Sequence, residues 1–140
     1  MKACFNLLGS INYLAVLCGI IWAVGLGNIW YSPKVFFDTW AKEIGLKKIE
    51  ISKQAMMMGM GRMLLMNIIE IFSLAAVIAL AGGGIVRALH VGVLVSVGMM
   101  AATRLSESFF EQRSVKAWLI QSGYNAAAVI GASVILGLWK

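Results

Sequence analysis

Two polar side chains, Asn67 and Glu70, interrupt an otherwise apolar stretch of the sequence. Alternate spacings of four and three residues place them on one stripe of a helix, together with Met56, Met60, Met63 and Leu74. A carboxylate in hydrocarbon costs several kcal/mol unless it is paired, hydrated or protonated. The pattern therefore predicts that this stripe faces the interior of a helix bundle or a water-filled cavity.

Two interpretations of Glu70 are open at this point. In the first, Glu70 binds a proton or a cation, and Asn67, one turn away, supplies a neutral hydrogen-bonding partner. In the second, Glu70 is held in an ion pair by Arg104 from a later helix and serves the fold alone. Arg104 has a local alternative in Glu107, three residues further along. We therefore take Glu70, Asn67 and Arg104 as the candidate polar or ion site.

A group of methionines lies near the start of the same helix, and thioethers are soft ligands suited to Cu(I). Methionine is also an ordinary gap-filling residue in apolar helices, and no cysteine or histidine joins this group. We therefore predict no metal and no cofactor. No catalytic set of side chains stands in a suitable context either, so we assign no catalytic residue, and the sequence gives no positive evidence for an enzymatic activity. The methionines concerned are Met56, Met57, Met58, Met60, Met63 and Met66.

Small residues recur every four positions in the first and the last apolar stretches, a spacing that lets helix backbones approach closely in lipid. The first set is Gly19, Ala23 and Gly27, and the second is Gly123, Ala127 and Gly131. The pattern predicts tight packing of both helices, either against each other or across a dimer. It does not by itself predict an activity.

The composition explains why these helices need lipid. Of the 140 residues, 61% are hydrophobic and only 13% are charged. A soluble domain carries roughly a quarter charged residues, because its surface must be solvated. The net charge of +6 could suggest nucleic acid, but no run of basic residues is interleaved with aromatic residues for base stacking. The basic residues instead flank apolar blocks, as they do beside membrane helices.

Stretches of about 18 or more apolar residues predict membrane-spanning helices, and this chain has four of them. They cover residues 11–31, 55–81, 85–106 and 117–139, with the turn Gly82–Gly84 joining the second to the third. Between the first two, residues 33–45 show aromatic and aliphatic residues at helical spacing, which predicts an amphipathic helix in the interface. We predict one domain, residues 1–140: an all-α integral membrane four-helix bundle with a short interfacial helix.

The basic residues also predict an orientation. Most of them follow the first and third spans, and the positive-inside rule places that side in the cytoplasm, with both termini outside. The rich side holds Lys34, Lys42, Lys47, Lys48, Lys53, Arg113 and Lys116, whereas the other side holds Lys2, Arg87 and Lys140.

Motifs at both ends of the chain resemble a known family. The segment Leu26–Pro33 (LGNIWYSP), followed by Phe36 and Trp40, resembles the opening of the domain of unknown function 1761 family of small four-helix bacterial membrane proteins. The segments Phe110–Tyr124 and Ile135–Trp139 are similar to its closing motifs. The resemblance implies four spans and a membrane location but no activity, and no site residue is carried over from it.

Together these patterns favour a small homo-oligomeric channel or carrier-like protein with a polar site around Glu70. The alternative is a non-catalytic accessory or assembly subunit of a larger membrane complex, because packing residues are many and polar residues few. We expect the protein to lie in a lipid bilayer, and we expect this bilayer to be the inner (plasma) membrane of a bacterium. The partner is expected to be a second copy or a larger membrane complex, and no nucleic acid.

Overall fold

The computed structural model describes residues 9–45, 53–112 and 114–139, and the regular elements in these ranges are all helical. Four stretches are long and apolar enough to cross a membrane, and we call them spans 1 to 4: Tyr13–Trp30, Met57–Leu80, Ile85–Phe110 and Val115–Leu138. The predicted fold class is thereby confirmed, an all-α bundle of four membrane helices with a short helix between the first two.

The helical segments follow one another in this order. Span 1 is α1 (Tyr13–Trp30), the short helix is α2 (Phe37–Glu43), and span 2 lies in α3 (Lys53–Leu80). Span 3 begins as α4 (Ile85–Val93), continues as a π-helical segment (Leu94–Ala101) and ends as α5 (Ala102–Phe110). Span 4 is α6 (Val115–Leu138).

Local capping sets the start of two spans. The Asn12 side chain accepts hydrogen bonds from the backbone N–H groups of Leu14 and Ala15, at 3.1 and 3.2 Å, and so caps α1. The Ser114 hydroxyl accepts from the Ala117 N–H at 3.2 Å and caps α6. Spans 2 and 3 are joined by Gly82–Gly84, three residues with φ of +92°, +67° and +85°. This conformation costs glycine little, because it has no Cβ, and so it permits the short turn.

The short helix between spans 1 and 2, Phe37–Glu43, covers less of the chain than the predicted range, residues 33–45. Residues 33–36 form turns, in which the Phe37 N–H donates to the Ser32 carbonyl at 3.2 Å and the Phe36 N–H to the Trp30 carbonyl at 3.3 Å. These bonds close the chain back onto the end of α1, so α2 begins only at Phe37. We call this side of the bundle the α2 end and the opposite side, with Gly82–Gly84, the turn end.

Span 4 is the centre of the bundle, because α6 packs extensively on both α1 and span 3. The residues buried along it are mostly small, among them Ala117, Ala128, Ala132 and Ser133. Small side chains let the helix axes come close, which maximises van der Waals contact in lipid. The bundle therefore has its core around α6 rather than at a symmetric centre of four equal helices.

Span 2 joins this core with only half of its length. Its buried residues are Ile71, Leu74, Ala75 and Ile78, all in the half next to the turn end. Gln54 and every residue from Met57 to Met66 are exposed, and α3 packs on span 3 mainly through α4. The two helices of this hairpin therefore separate towards the α2 end.

This separation corrects one prediction. The stripe of Asn67 and Glu70 was expected to face the interior along the whole helix, but Met60 and Met63 are each 61% exposed. Only its second half, from Asn67 to Leu74, reaches the bundle, because no other helix of the described chain lies beside the first half. The side chain of Met56 lies outside the described residues.

The basic residues that predict the orientation are described only in part. Lys34, Lys42 and Lys116 are exposed at the α2 end, and Arg87 is exposed at the turn end, where its guanidinium donates to the Gly82 carbonyl at 3.2 Å. The side chain of Lys53 lies outside the described part of the chain. The other residues lie outside it entirely: Lys2, Lys47, Lys48, Arg113 and Lys140. The orientation stays a prediction.

Candidate functional site

The three residues of the candidate polar site lie on the sides of spans 2 and 3 that face the bundle. Asn67 and Glu70 are half-buried on α3, and Arg104 is half-buried on α5. The Asn67 amide donates to the Met63 carbonyl of its own helix at 2.9 Å, so this donor is already used. Glu70 and Arg104 interact electrostatically, but in the described chain they are not in direct ion-pair contact.

Two tyrosines that the sequence analysis did not single out complete this group. The Tyr124 phenol, on α6, lies within electrostatic reach of Glu70, and Tyr31, just after α1, lies within reach of Arg104. The two tyrosine rings meet edge to face with centroids 5.4 Å apart. We call these four residues, Tyr31, Glu70, Arg104 and Tyr124, the polar cluster. Its members come from all four spans or their ends, so only the folded bundle brings them together.

Hydrogen bonds and burial define the state of the tyrosines. The Tyr124 hydroxyl donates to the Ala23 carbonyl at 3.0 Å, which ties α6 to α1 beside the polar cluster. Burial, with a smaller contribution from Tyr124, raises the pKa of Tyr31 to about 12, although Arg104 opposes this shift. The Tyr31 hydroxyl therefore stays protonated at physiological pH. Glu70 and Arg104 are then the two members of the polar cluster with a carboxyl and a guanidinium group.

Two further polar side chains of α6 are buried without a partner. The Asn125 amide nitrogen and the Ser122 hydroxyl make no hydrogen bond to the described residues, and the two residues are only 9% and 8% exposed. A buried donor without an acceptor costs about 1–3 kcal/mol, so such groups usually hold a water molecule or a ligand. Asn125 follows Tyr124 in the chain and lies on the buried side of α6. The only signal in the sequence was an amide in a predicted span.

The small residues predicted for helix packing lie where α1 and α6 cross. A Cβ on Gly19 would come within 3.0 Å of Ile71 on α3 and 3.6 Å of Ala132 on α6, and one on Gly27 within 3.1 Å of the Tyr124 hydroxyl. On α6, Trp30 covers Gly123 and Trp22 lies directly against Gly131.

Indole hydrogen bonds hold this crossing in place beside the remaining small residues, Ala23 and Ala127. The Trp22 N–H donates to the Ala127 carbonyl at 3.3 Å, and the Trp30 N–H to the Ile120 carbonyl at 3.1 Å. The Ala23 carbonyl accepts the Tyr124 bond described above. Span 1 is thus fixed on span 4 by both close packing and polar contacts, and this crossing positions Tyr31 and Tyr124.

A pocket opens beside the polar cluster at the α2 end. Its volume is about 190 Å³, and it lies between the last turns of α5 and the first turns of α6. Its lining residues are Arg104, Glu107, Ser108, Glu111, Trp118 and Gln121. Arg104 belongs to both the pocket and the polar cluster, and the other three members of the cluster are not part of the pocket lining.

The methionines of α3 do not converge on a common point inside the bundle. The described side chains of this group are all exposed: Met57, Met58, Met60, Met63 and Met66. Among the described residues, no three His, Cys, Asp or Glu side chains are close enough to hold a metal ion. His90, on α4, is exposed and its Nδ1 lies 2.7 Å from the Val86 carbonyl of the same helix. No side chain of this part is assigned to a metal.

The family is decided by a match that covers nearly the whole helical region. A family model described as "Protein of unknown function (DUF1761)" matches residues 14–137. The chain belongs to this family. The resemblance carried by the motifs near Trp30 and Tyr124 is thereby confirmed, and the matched region includes every residue of the polar cluster. Comparison with curated proteins and with solved structures gives no match.

Proposed function

We propose that this protein is a small carrier-type membrane protein that binds a proton or a cation at Glu70. The observation that carries the proposal is a half-buried carboxylate in a membrane span that no cation contacts directly within the described chain. Ionisable groups at such positions are costly and are commonly found on ion or substrate pathways. Glu70 can therefore accept a mobile positive charge as its partner.

Arg104 acts in this proposal as the counter-charge of the empty site. It interacts with Glu70 electrostatically but does not contact it, so the carboxylate keeps room for another positive charge. The same residue also lines the pocket at the α2 end, whereas Glu70 is not part of that lining. Binding at Glu70 and movement of Arg104 are thus coupled through their mutual attraction.

The packing of the turn end favours a carrier over an open channel within one chain. Gly92 lies directly against Ser133, and Gly137 meets Ala88 in the same way. Ala88, Ala132 and Ser133 are fully buried, so spans 3 and 4 are closely packed here. Passage across the membrane would then require these helices to move apart, or a path between copies of the chain.

The location and orientation belong to the same proposal. We place the protein in the plasma membrane of a bacterium with the α2 end in the cytoplasm and both termini outside. Support comes from the basic residues of that end, among which Lys34, Lys42 and Lys116 are exposed. The pocket beside Arg104 would then open towards the cytoplasm.

The first prediction concerns Glu70→Gln, which removes the charge and keeps the size of the side chain. In liposomes with a pH-sensitive or potassium-sensitive dye inside, we expect the variant to lower cation flux at least about tenfold, the loss that ~1.4 kcal/mol of binding would cause. The physical reason is that an amide cannot neutralise a cation in a low-dielectric site.

The matched control is Glu43→Gln, which removes a carboxylate from α2, outside the polar cluster. Both variants should elute and unfold like the wild type, because Glu70 supports no hydrogen bond in the described structure. Full flux in Glu70→Gln would contradict the proposal, as would a wild type with no more flux than empty liposomes.

A second function is favoured by a different observation. The first half of α3, from Met57 to Met66, is exposed on every face over about 15 Å of helix. An accessory or assembly subunit of a larger membrane complex would use such a helix to contact its partners. A second copy of the chain would cover it equally well in a homo-oligomeric carrier.

A further inference from the structure

We propose that the pocket beside Arg104 binds a ligand with a phosphate and a primary ammonium group, as in the headgroup of an ethanolamine phospholipid. This inference does not depend on transport at Glu70. It starts from the pocket of about 190 Å³ between α5 and α6, whose lining is mostly polar and carries charges of both signs.

The position of the pocket matches the level of lipid headgroups. It lies at the ends of spans 3 and 4, where α5 ends at Phe110 and α6 begins at Val115. Phe109 and Phe110 are 80% and 81% exposed beside it, and aromatic side chains at span ends favour the membrane interface. Arg104 lies six residues before Phe110 on α5, about 9 Å deeper in the span, and its long side chain can reach a phosphate.

The charges divide the pocket into two parts. The Arg104 guanidinium is planar and carries five donors, a geometry that suits bidentate binding of a phosphate. Glu107 lies nearly one turn closer to the end of the helix, and its carboxylate accepts hydrogen bonds from an ammonium group. A zwitterion in this order satisfies Arg104 and Glu107 together, whereas a simple anion or a simple cation satisfies only one of these two. Glu111, also in the lining, adds a second carboxylate at the ammonium end.

The other lining residues add no charge, and one of them holds the two helices of the pocket together. The Trp118 indole N–H donates to the Ala101 carbonyl at 3.0 Å and so ties α6 to the end of the π-helical segment. Gln121 and Ser108 add neutral polar groups to the lining. The pocket therefore has a firm wall on the α6 side and opens between the two spans.

The test compares lipids with equal acyl chains by native mass spectrometry of the full-length protein, stripped of lipid in detergent. Phosphatidylethanolamine should bind at least about fivefold more than phosphatidylcholine or phosphatidylglycerol, a preference of about 1 kcal/mol. Choline has no N–H to donate to Glu107, and glycerol has no positive charge. Glu107→Gln should abolish the preference, and Glu43→Gln should keep it.

Two further measurements identify the source of the ligand and separate this proposal from transport. If the lipid is the ligand, free phosphoethanolamine should compete with it only weakly. If a soluble compound is the ligand, free phosphoethanolamine should bind as tightly as the lipid. Both results support the proposed chemistry. Equal binding of the three lipids, or an unchanged preference in Glu107→Gln, would overturn it. Glu107→Gln should retain cation flux, so a failure at this pocket is distinguishable from a failure at Glu70.

Discussion

At the scale of single residues, the four spans combine charges and neutral donors that are distant in the chain. Glu70 and Arg104 supply a carboxyl and a guanidinium group, and Tyr31 and Tyr124 lie near them with hydroxyl groups that stay neutral or are already bonded. Asn125 adds a buried amide nitrogen without an acceptor. This combination is costly for a fold alone, because neither the carboxylate nor the amide gains a direct partner in the described chain.

Asn125→Leu tests whether the buried amide serves the fold or a ligand. Because an unpaired buried donor costs about 1–3 kcal/mol, an apolar side chain of similar size should raise the unfolding temperature in detergent. If the amide takes part in ion or water binding beside the polar cluster, the same variant should lose most of its cation flux. Stability and flux are therefore expected to change in opposite directions.

The control for this variant is Asn28→Leu on α1, whose amide already donates to the Val24 carbonyl at 2.8 Å near the surface. Here we expect little change in flux and no gain in stability. An Asn125→Leu protein that is less stable than the wild type would contradict the prediction. It would show that the amide has a hydrogen-bonding partner in the membrane.

At the scale of helices, the crossing of α1 and α6 is the contact on which the polar cluster depends. Trp22 and Trp30 lie over glycines of α6, and their indole N–H groups bond to carbonyls of the same helix. A methyl group at Gly131 would displace the Trp22 ring and its hydrogen bond to Ala127. The packing therefore has no space at this position.

Gly131→Ala should lower the free energy of unfolding by roughly 2 kcal/mol, as overpacking of a close contact does. Gly123→Ala should cost less, because its Cβ would meet only the edge of Trp30 at 3.2 Å. Gly25→Ala is the matched control, since nothing lies within 4 Å of its Cβ and alanine favours a helix. Unfolding in a denaturing detergent would rank the three, and a Gly131→Ala protein as stable as Gly25→Ala would contradict the prediction.

Span 3 shows how an element can position a side chain in a way that spacing alone does not reveal. The π-helical segment, Leu94–Ala101, lies between the close contact at Gly92 and the polar end at Arg104. A wider turn changes the angle at which later side chains leave the helix, and such segments are frequent at functional sites. The direction of Arg104 towards the bundle therefore depends on this local change in helix type.

At the scale of the whole molecule, the exposed half of α3 is the feature that one chain leaves unexplained. The helix has 28 residues, or about 42 Å, and its first half has no neighbour in the described chain. Lipid can cover its apolar side chains, but a further protein surface would also pack against it. The mass of the native particle is therefore informative about function.

We expect the untagged protein, extracted from its membrane in mild detergent, to form a homo-oligomer whose mass is a multiple of 15.1 kDa plus detergent. Gly59→Leu should weaken this assembly without unfolding the chain, because nothing lies within 4 Å of a Cβ there. Gly25→Leu, equally open on α1, is the control. A particle with other proteins at fixed stoichiometry would favour the accessory subunit, and a monomer would contradict both assemblies.

The sequence by itself determined the class of this protein, its four spans and its family. Hydropathy is a sum over neighbouring residues, and the bilayer demands apolar helices of a given length, so local sequence is enough for that prediction. It also indicated Glu70, because one carboxylate in an apolar stretch is visible without any structure. The motifs around Trp30 and Tyr124 indicated the family for the same reason.

Only the tertiary structure decided which residues surround Glu70. The separation of α3 from span 3 exposes Met60 and Met63, the π-helical segment directs Arg104, and the α1–α6 crossing brings Tyr124 near Glu70. Each of these depends on how small residues on distant helices fit together. Lipid tails are as apolar as the side chains that face them, so hydrophobicity does not select which helices become neighbours. That choice comes from packing and hydrogen bonds.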